Sequence, residues 1–382
     1  MPVLKIAFHT PLNRYGDGAI SGDRRMARQL VTLLERLGHS VEIVPAERSF
    51  MREPDEAELS AHQAAAQEVI ERLASAWQYP AVRPDLFFTY HCHYRAPDLI
   101  GPALVERFAL PYLLAEASDA PKRFSGGWAA AATLARDAIQ RADLHLCMTA
   151  RDREGLAKLL PGDVPLVDLP PFLLADGDRP VRNGAARPIG APARLIVVAM
   201  MRKGTKENSY FALARTLAGI VEKPWTLTLI GDGAQRAAVE AAFAGFPPER
   251  LRWLGRIGNA ETRAELAAHD LFVWPGLNEA YGLVYLEAQA AGLPVAALHS
   301  GGVPAVVEPG RTGLLVADHD EAALGETIAA LIDQPALRER LGSAARIFAR
   351  EERNGEAACA ILAGALEAAT RRHCSRPCGA RR

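Results

Sequence analysis

The 382-residue sequence lacks most of the features that mark secreted, membrane-spanning or nucleic-acid-binding chains. No uninterrupted apolar run reaches the roughly 20 residues that cross a bilayer. The opening Met1-Pro2-Val3-Leu4-Lys5-Ile6 has no long apolar core of the signal-peptide kind. Cysteine is sparse: Cys92, Cys147, Cys359, Cys374 and Cys378 are odd in number and without framework spacing, which speaks against a disulfide scaffold and for a reducing cytoplasm. Neither sign of charge prevails, with 44 Lys and Arg against 45 Asp and Glu, so no basic field invites nucleic acid. His373, Cys374 and Cys378 crowd the tail, but three donors in a Pro/Gly/Arg-rich end segment do not predict a metal site.

What is present is ample apolar content, 49% of residues, in a chain long enough for two domains. Short apolar runs alternate with helical spacing, which predicts α/β layers on parallel sheets. Leu4 to His9 reads as a strand, and Met26, Leu30, Leu33, Leu34 and Leu37 mark a helix from Asp23, capped by Ser21 or Asp23 and stopped at Gly38. Residues 176–192 hold Gly, Pro, Arg and Asn with little periodicity and read as a linker. The strand–helix pattern restarts at Leu195. The expected organisation is a first domain over 1–175 and a second over 193–353. A last helix over 354–371 and a disordered tail over 372–382 follow. The predicted fold class is α/β, two doubly wound Rossmann-like domains facing a cleft, with ligands at the carboxyl ends of the strands.

The most informative stretch is Asn278 to Val295, NEAYGLVYLEAQAAGLPV. An apolar strand, Leu271 to Trp274, ends in Pro275-Gly276. Glu279 lies in the loop, an Ala-rich helix begins near Gly282, and Glu287 lies inside it, eight positions after Glu279. Free N–H groups at the helix start, near Tyr281, Gly282, Leu283 and Val284, together with the helix dipole, favour a bound phosphate. A carboxylate such as Glu287 among alanines and leucines is costly without a partner. A ligand bearing both phosphates and hydroxyls accounts for the whole pattern.

This Glu-x7-Glu arrangement, with its flanking strand, aromatic-Gly and Ala-Gly-x-Pro-Val, resembles the signature of retaining glycosyltransferases of the GT-B fold, in particular glycosyltransferase family 4. The resemblance implies further roles. In Ser21-Gly22, Gly22 would let a diphosphate or acceptor approach the backbone, and Gly38-His39-Ser40-Val41 matches the family's helix end. In Met201-Arg202-Lys203-Gly204-Thr205-Lys206, Arg202 and Lys206 would grip the diphosphate, with Lys203 competing for the second place. Gly231 and Ile257, in loops after two further strands, would flank the nucleotide base. Family members carry a histidine after a strand preceded by Pro; here Glu116 or Ser118 occupies that rim, and His91 and His93 follow the preceding strand as acceptor-side candidates.

The mechanism implied is transfer from a nucleoside diphosphate-sugar, with retention, to a carbohydrate or lipid-linked acceptor. Glu287 would hold the ribose and Glu279 the sugar. Arg202, Lys206 and the helix start would stabilise the departing diphosphate. No Asp-x-Asp pair stands where a metal–diphosphate clamp would need it, so no metal and no cofactor are expected. Two other readings fit the same residues: a non-catalytic nucleotide-sugar-binding protein, and a sugar-nucleotide epimerase of GT-B type. The location predicted is cytoplasmic. At most a peripheral membrane contact is expected, through the basic tail (Arg371, Arg372, Arg376, Arg381, Arg382) and Lys122-Arg123.

Overall fold

The computed structural model describes residues 2–16, 21–174, 180–182 and 191–375. It divides into two compact units: Met1–Pro170 with Glu356–Arg382, and Pro171–Gly355. The second unit thus begins ahead of the segment read as a linker, much of which lies outside the described residues.

The first unit holds β1 (Lys5–His9), β2 (Ser40–Ile43), β3 (Leu86–Cys92), β4 (Tyr112–Ala117), β5 (Leu144–Cys147) and β6 (Leu166–Asp168), in the order β2-β1-β3-β4-β5-β6. The second holds β7 (Ala193–Val198), β8 (Trp225–Ile230), β9 (Leu251–Gly255), β10 (Leu271–Val273), β11 (Val295–Leu298) and β12 (Gly313–Val316), in the order β12-β11-β10-β7-β8-β9. Every pairing within both sheets is parallel. Parallel strands joined by helices are covered on both faces, which is why they read as continuous apolar runs rather than alternating ones. All seven residues of β3 and all six of β4 are buried. The order in which strands are laid down switches side between β1 and β3 in one sheet and between β7 and β10 in the other, and each switch point opens a crevice at the strands' carboxyl ends.

Helices follow their sequence signals closely. In Gly22–Arg36, Ser21 caps the start by accepting from the Arg24 N–H at 3.3 Å, and Met26, Leu30, Leu33 and Leu34 are buried at helical spacing. The last helix, Gly355–Ser375, runs past Arg371, where the sequence suggested its end. It buries Ala358, Leu362, Ala365, Leu366 and Ala369 in one stripe. Its last turn is pinned to the first unit. Arg372 Nη1 donates to Asp163 Oδ2 at 2.7 Å, and the His373 ring lies 3.1 Å from Asp143 Oδ2 and 2.9 Å from the Ala109 carbonyl. Arg372 is therefore no part of a free basic tail, and Arg371 stands beside Glu367 at 3.4 Å. Arg376, Cys378, Arg381 and Arg382 lie outside the described residues. Among the described residues, no helix is long and apolar enough to cross a membrane.

One buried carboxylate ties the first unit together beneath its crevice. Asp98 has no solvent-exposed side-chain surface. It accepts from Thr89 Oγ1 and Tyr112 OH, both at 2.6 Å, and from the N–H groups of Ile100 and Gly101 at 2.9 and 2.7 Å. His9 Nε2 lies 3.6 Å away. Removing the carboxylate leaves several buried donors without an acceptor. Asp98→Ala is therefore expected to lower the unfolding free energy by about 3–5 kcal/mol, read by urea denaturation of the full chain. A loss under about 1 kcal/mol would show that water or repacking satisfies those donors.

Candidate functional site

In the second unit Lys206 and Glu279, both singled out from sequence, meet at the β7/β10 crevice. β7 leads through residues 199–204 into the helix Thr205–Ala218, which places Lys206 in that helix's first turn. β10 leads through Trp274 to Gly282 into the helix Leu283–Ala290. The Lys206 ammonium and the Glu279 carboxylate form an ion pair, with about a sixth of each side chain exposed. Trp274 lies beneath it, fully buried, with its Nε1 3.5 Å from Glu279 Oε2 and its ring centroid 5.5 Å from Lys206 Nζ. A cation in the first turn of a helix opposes the helix dipole. Folding alone gives no reason for Lys206 to stand there, and Glu279 supplies its counter-charge. Arg202 and Lys203 are exposed. Of the two lysines competing for one role, it is Lys206 that the fold brings to Glu279.

The Glu279 loop is held from several sides. The Leu277 N–H donates to Ser209 Oγ at 3.0 Å, and the Asn278 N–H donates to Ser300 Oγ at 2.9 Å. Ser300 in turn donates to Asp318 at 3.0 Å. The Gly302 N–H donates to the Glu279 carbonyl at 2.9 Å, and a Cβ at Gly301 would fall 2.1 Å from that same oxygen, so only glycine fits. Trp274 is fixed by Tyr210, edge-on at 4.9 Å, and by Tyr285, whose hydroxyl donates to the Trp274 carbonyl at 3.1 Å. Ser209 and Asp318 escaped the sequence reading, which took Trp274 only as a strand end, since no spacing links them to Glu279.

The remaining second-unit candidates are placed as follows. Tyr281 and Leu283 are buried, Gly282 precedes the helix, and Val284 is half-buried in its first turn. Glu287 lies one turn further on, half-buried between buried Leu286 and Ala288. Gly231 follows β8 at a φ of 147°, and a Cβ there would lie 1.8 Å from the Ala199 carbonyl, so the crossing of two loops already requires glycine. Ile257 is half-buried in the loop after β9.

The first-unit candidates form a separate constellation. His91 on β3 and Glu116 on β4 sit side by side, since Tyr90 pairs with Ala115 and Cys92 with Ala117. Both take a left-handed backbone, with φ of 66° and 55°, uncommon for residues that carry a Cβ. His91 Nε2 lies 3.6 Å from Glu116 Oε2 and 3.6 Å from Asp23 Oδ1, at the start of the first helix. Burial pushes the Glu116 carboxyl up to about 7, against the opposing pull of His91. Burial alone would lower His91, but Glu116, Asp23 and Asp152 together outweigh it and hold the ring above its ordinary value. His93 behaves differently. Burial and the neighbouring His91 and Arg95 push it down to about 3, and its Nδ1 accepts from the Arg95 N–H at 3.1 Å. Ser118 is half-buried, and its N–H donates to the Cys92 carbonyl at 3.0 Å. Gly22 opens the first helix in an exposed position where a Cβ would meet nothing within 4 Å, so the protein's own packing does not require glycine there. Asp23 and Asp152 were absent from the sequence reading, because only the fold brings them to His91.

Residues 192–334 match the family model for glycosyl transferases group 1. A D-inositol 3-phosphate glycosyltransferase of Streptomyces avermitilis is 29% identical over 298 residues, which cover 69% of this chain and 61% of that protein's length. Among solved structures, sucrose-phosphate synthase from Thermosynechococcus elongatus superposes with a TM-score of 0.69 at 19% identity, over 95% of this chain and 98% of the other. HepE of Anabaena, solved with UDP, superposes with a TM-score of 0.67 at 17% identity, over 95% and 99% of the two chains. Over residues 192–334 the chain is thus similar to the glycosyl transferases group 1, and its two parallel sheets have the GT-B fold of these solved structures.

Proposed function

We propose that the chain transfers a sugar from a nucleoside diphosphate-sugar to a carbohydrate or lipid-linked acceptor, with retention at the anomeric carbon and without a bound metal. The observation that carries this reading is the Lys206–Glu279 pair at the β7/β10 crevice, beside the start of the helix Leu283–Ala290. HepE, of like fold, is bound to UDP in one structure and to UDP-glucose in another, which supports a nucleotide-sugar as donor.

The chemistry follows from the charges. A donor diphosphate is dianionic and competes with Glu279 for the Lys206 ammonium. When Lys206 turns to the phosphates, Glu279 is released to accept hydrogen bonds from hydroxyls of the transferred sugar. The N–H groups at the start of the helix Leu283–Ala290 face phosphate oxygen, and Arg202, exposed in the loop that leads to Lys206, adds a second cation. As the bond from the anomeric carbon to phosphate breaks, negative charge gathers on the departing diphosphate, and these groups stabilise it more than they stabilise the bound donor. Glu287 accepts from ribose hydroxyls. Asp318 and Asp320, two positions apart, are engaged in folding: Asp318 accepts from Ser300, and Asp320 caps the helix Glu321–Asp333 by accepting from the Ala323 N–H at 2.9 Å. Lys206, Arg202 and the helix dipole take the place of a cation.

Three outcomes test this. Lys206→Ala should lower turnover with a nucleoside diphosphate-sugar by roughly 10²–10³-fold while changing ground-state donor affinity much less. Arg202→Ala should behave alike and Lys203→Ala should cost little; a large loss at Lys203 with none at Lys206 would overturn the assignment. Glu287→Ala should keep the wild-type melting temperature and lose most of the thermal stabilisation given by UDP-, GDP- or ADP-sugars. Equal stabilisation of variant and wild type would remove the ribose role. Transfer should persist in excess EDTA; activity abolished by chelation and restored by magnesium or manganese would contradict metal-independent departure of the diphosphate.

A further inference from the structure

Two donors converge on one oxygen of the Glu279 carboxylate. The Lys206 ammonium and the Trp274 indole N–H both point at Glu279 Oε2. The ammonium holds it as an ion pair, and the indole Nε1 is left 3.5 Å away, beyond the length of an ordinary N–H···O bond. Trp274 is fully buried, so its N–H has no access to bulk water. A buried donor kept at that length is short of a full bond, and it gains free energy by closing on its acceptor.

The indole is held where it is. Tyr210 packs edge-on against it at 4.9 Å and is itself tied by its hydroxyl to the Ala199 carbonyl at 2.7 Å. The Trp274 backbone N–H donates to the Ala296 carbonyl at 3.2 Å, and its carbonyl accepts from Tyr285 OH at 3.1 Å. A Cβ at Gly276, whose φ is 68°, would fall 2.1 Å from that hydroxyl, so glycine at this turn protects the anchor. Glu279 is seated too. A Cβ at Gly282 would lie 3.1 Å from Glu279 Cγ, which sets the carboxylate's stem against the start of the helix Leu283–Ala290. Lys206 is the mobile member, since its ammonium ends a flexible four-carbon stem. With the indole and the Glu279 stem fixed, a turn of the carboxylate about its own bond is the motion that closes the gap.

We propose that Trp274 is a positioning residue for Glu279. When an anion draws Lys206 away, the indole N–H takes over Oε2 and holds the carboxylate in place, with Oε1 left to accept from a sugar hydroxyl. No proton is transferred and no covalent bond changes; a charged donor is exchanged for a neutral one on the same oxygen. The exchange of donors is a property of these three side chains. That it serves sugar transfer rests on the glycosyltransferase reading.

The test uses the full chain and the indole N–H signals of its five tryptophans in proton–nitrogen NMR, that of Trp274 being the one absent from Trp274→Phe. In Lys206→Ala, with no nucleotide added, the Trp274 signal should move downfield, as a shortened hydrogen bond requires. Adding Glu279→Ala to Lys206→Ala should cancel the move, which loss of the lysine's charge over the ring would not do by itself. UDP or GDP, whichever raises the melting temperature of wild type, should move the wild-type signal the same way. Trp274→Phe keeps the aromatic packing and removes the N–H. With any nucleoside diphosphate-sugar that wild type turns over, it should lower kcat about tenfold or more and change donor KM less than about threefold. A residue that only packs would lower the melting temperature without that split. The proposal falls if Lys206→Ala or a bound nucleotide leaves the Trp274 signal unmoved, if the double variant keeps the shift, or if folded Trp274→Phe turns over donor as wild type does. Failure of every nucleotide to bind, alongside the Lys206→Ala shift, would sink the transfer reading and leave the exchange of donors standing.

Discussion

Every strand pairing in both sheets is parallel, and this constraint places all the chemistry. Parallel strands need a helix to return the chain, so the loops that leave their carboxyl ends collect on one edge. In the second sheet that edge receives the loop before Lys206 and the loop that carries Glu279. In the first it receives the end of β1, the start of the first helix, and His91 and Glu116 on adjacent strands. Side chains far apart in the sequence become neighbours because the topology leaves their loops nowhere else to go.

Within that frame the second unit concentrates opposed charges where water is scarce. Lys206 stands against a helix dipole, Glu279 neutralises it, and the indole of Trp274 underlies both. A preformed pair of this kind holds each charge in place before any ligand arrives. It also means that an anion entering the crevice exchanges one partner for another rather than ordering a loose side chain, which lowers the entropic cost of binding.

Much of this was legible in the sequence, for reasons that differ by element. The buried strands announce themselves as apolar runs, and the first helix by Met26, Leu30, Leu33 and Leu34 with Ser21 at its cap. Glu279 and Glu287 were visible because a strand, a turn and a helix flank them in fixed order. The choice between Lys203 and Lys206 was not, because Gly204 permits either register until the helix is seen to begin at Thr205. Nor could His91 be joined to Glu116: that pairing is set by the register of β3 on β4, and its third and fourth members come from helices at either end of the first unit. Asp98 left no trace, since its partners at positions 89, 100, 101 and 112 follow no period. The end of the last helix read as tail because its anchors, Asp143 and Asp163, lie about two hundred residues earlier.

That last contact bears on the order in which the chain becomes whole. The first unit is interrupted: its closing helix follows the entire second unit in the sequence, whereas the second unit is one continuous segment. On the ribosome, domains fold as their residues emerge. Residues 171–355 can complete their sheet as soon as they are made, while the first unit, begun earlier, waits with Ala109, Asp143 and Asp163 lacking Arg372 and His373. The unit started first is therefore finished last, and a nascent chain that has released Gly355 but not yet the last helix holds an unfinished first unit and a second that is already complete.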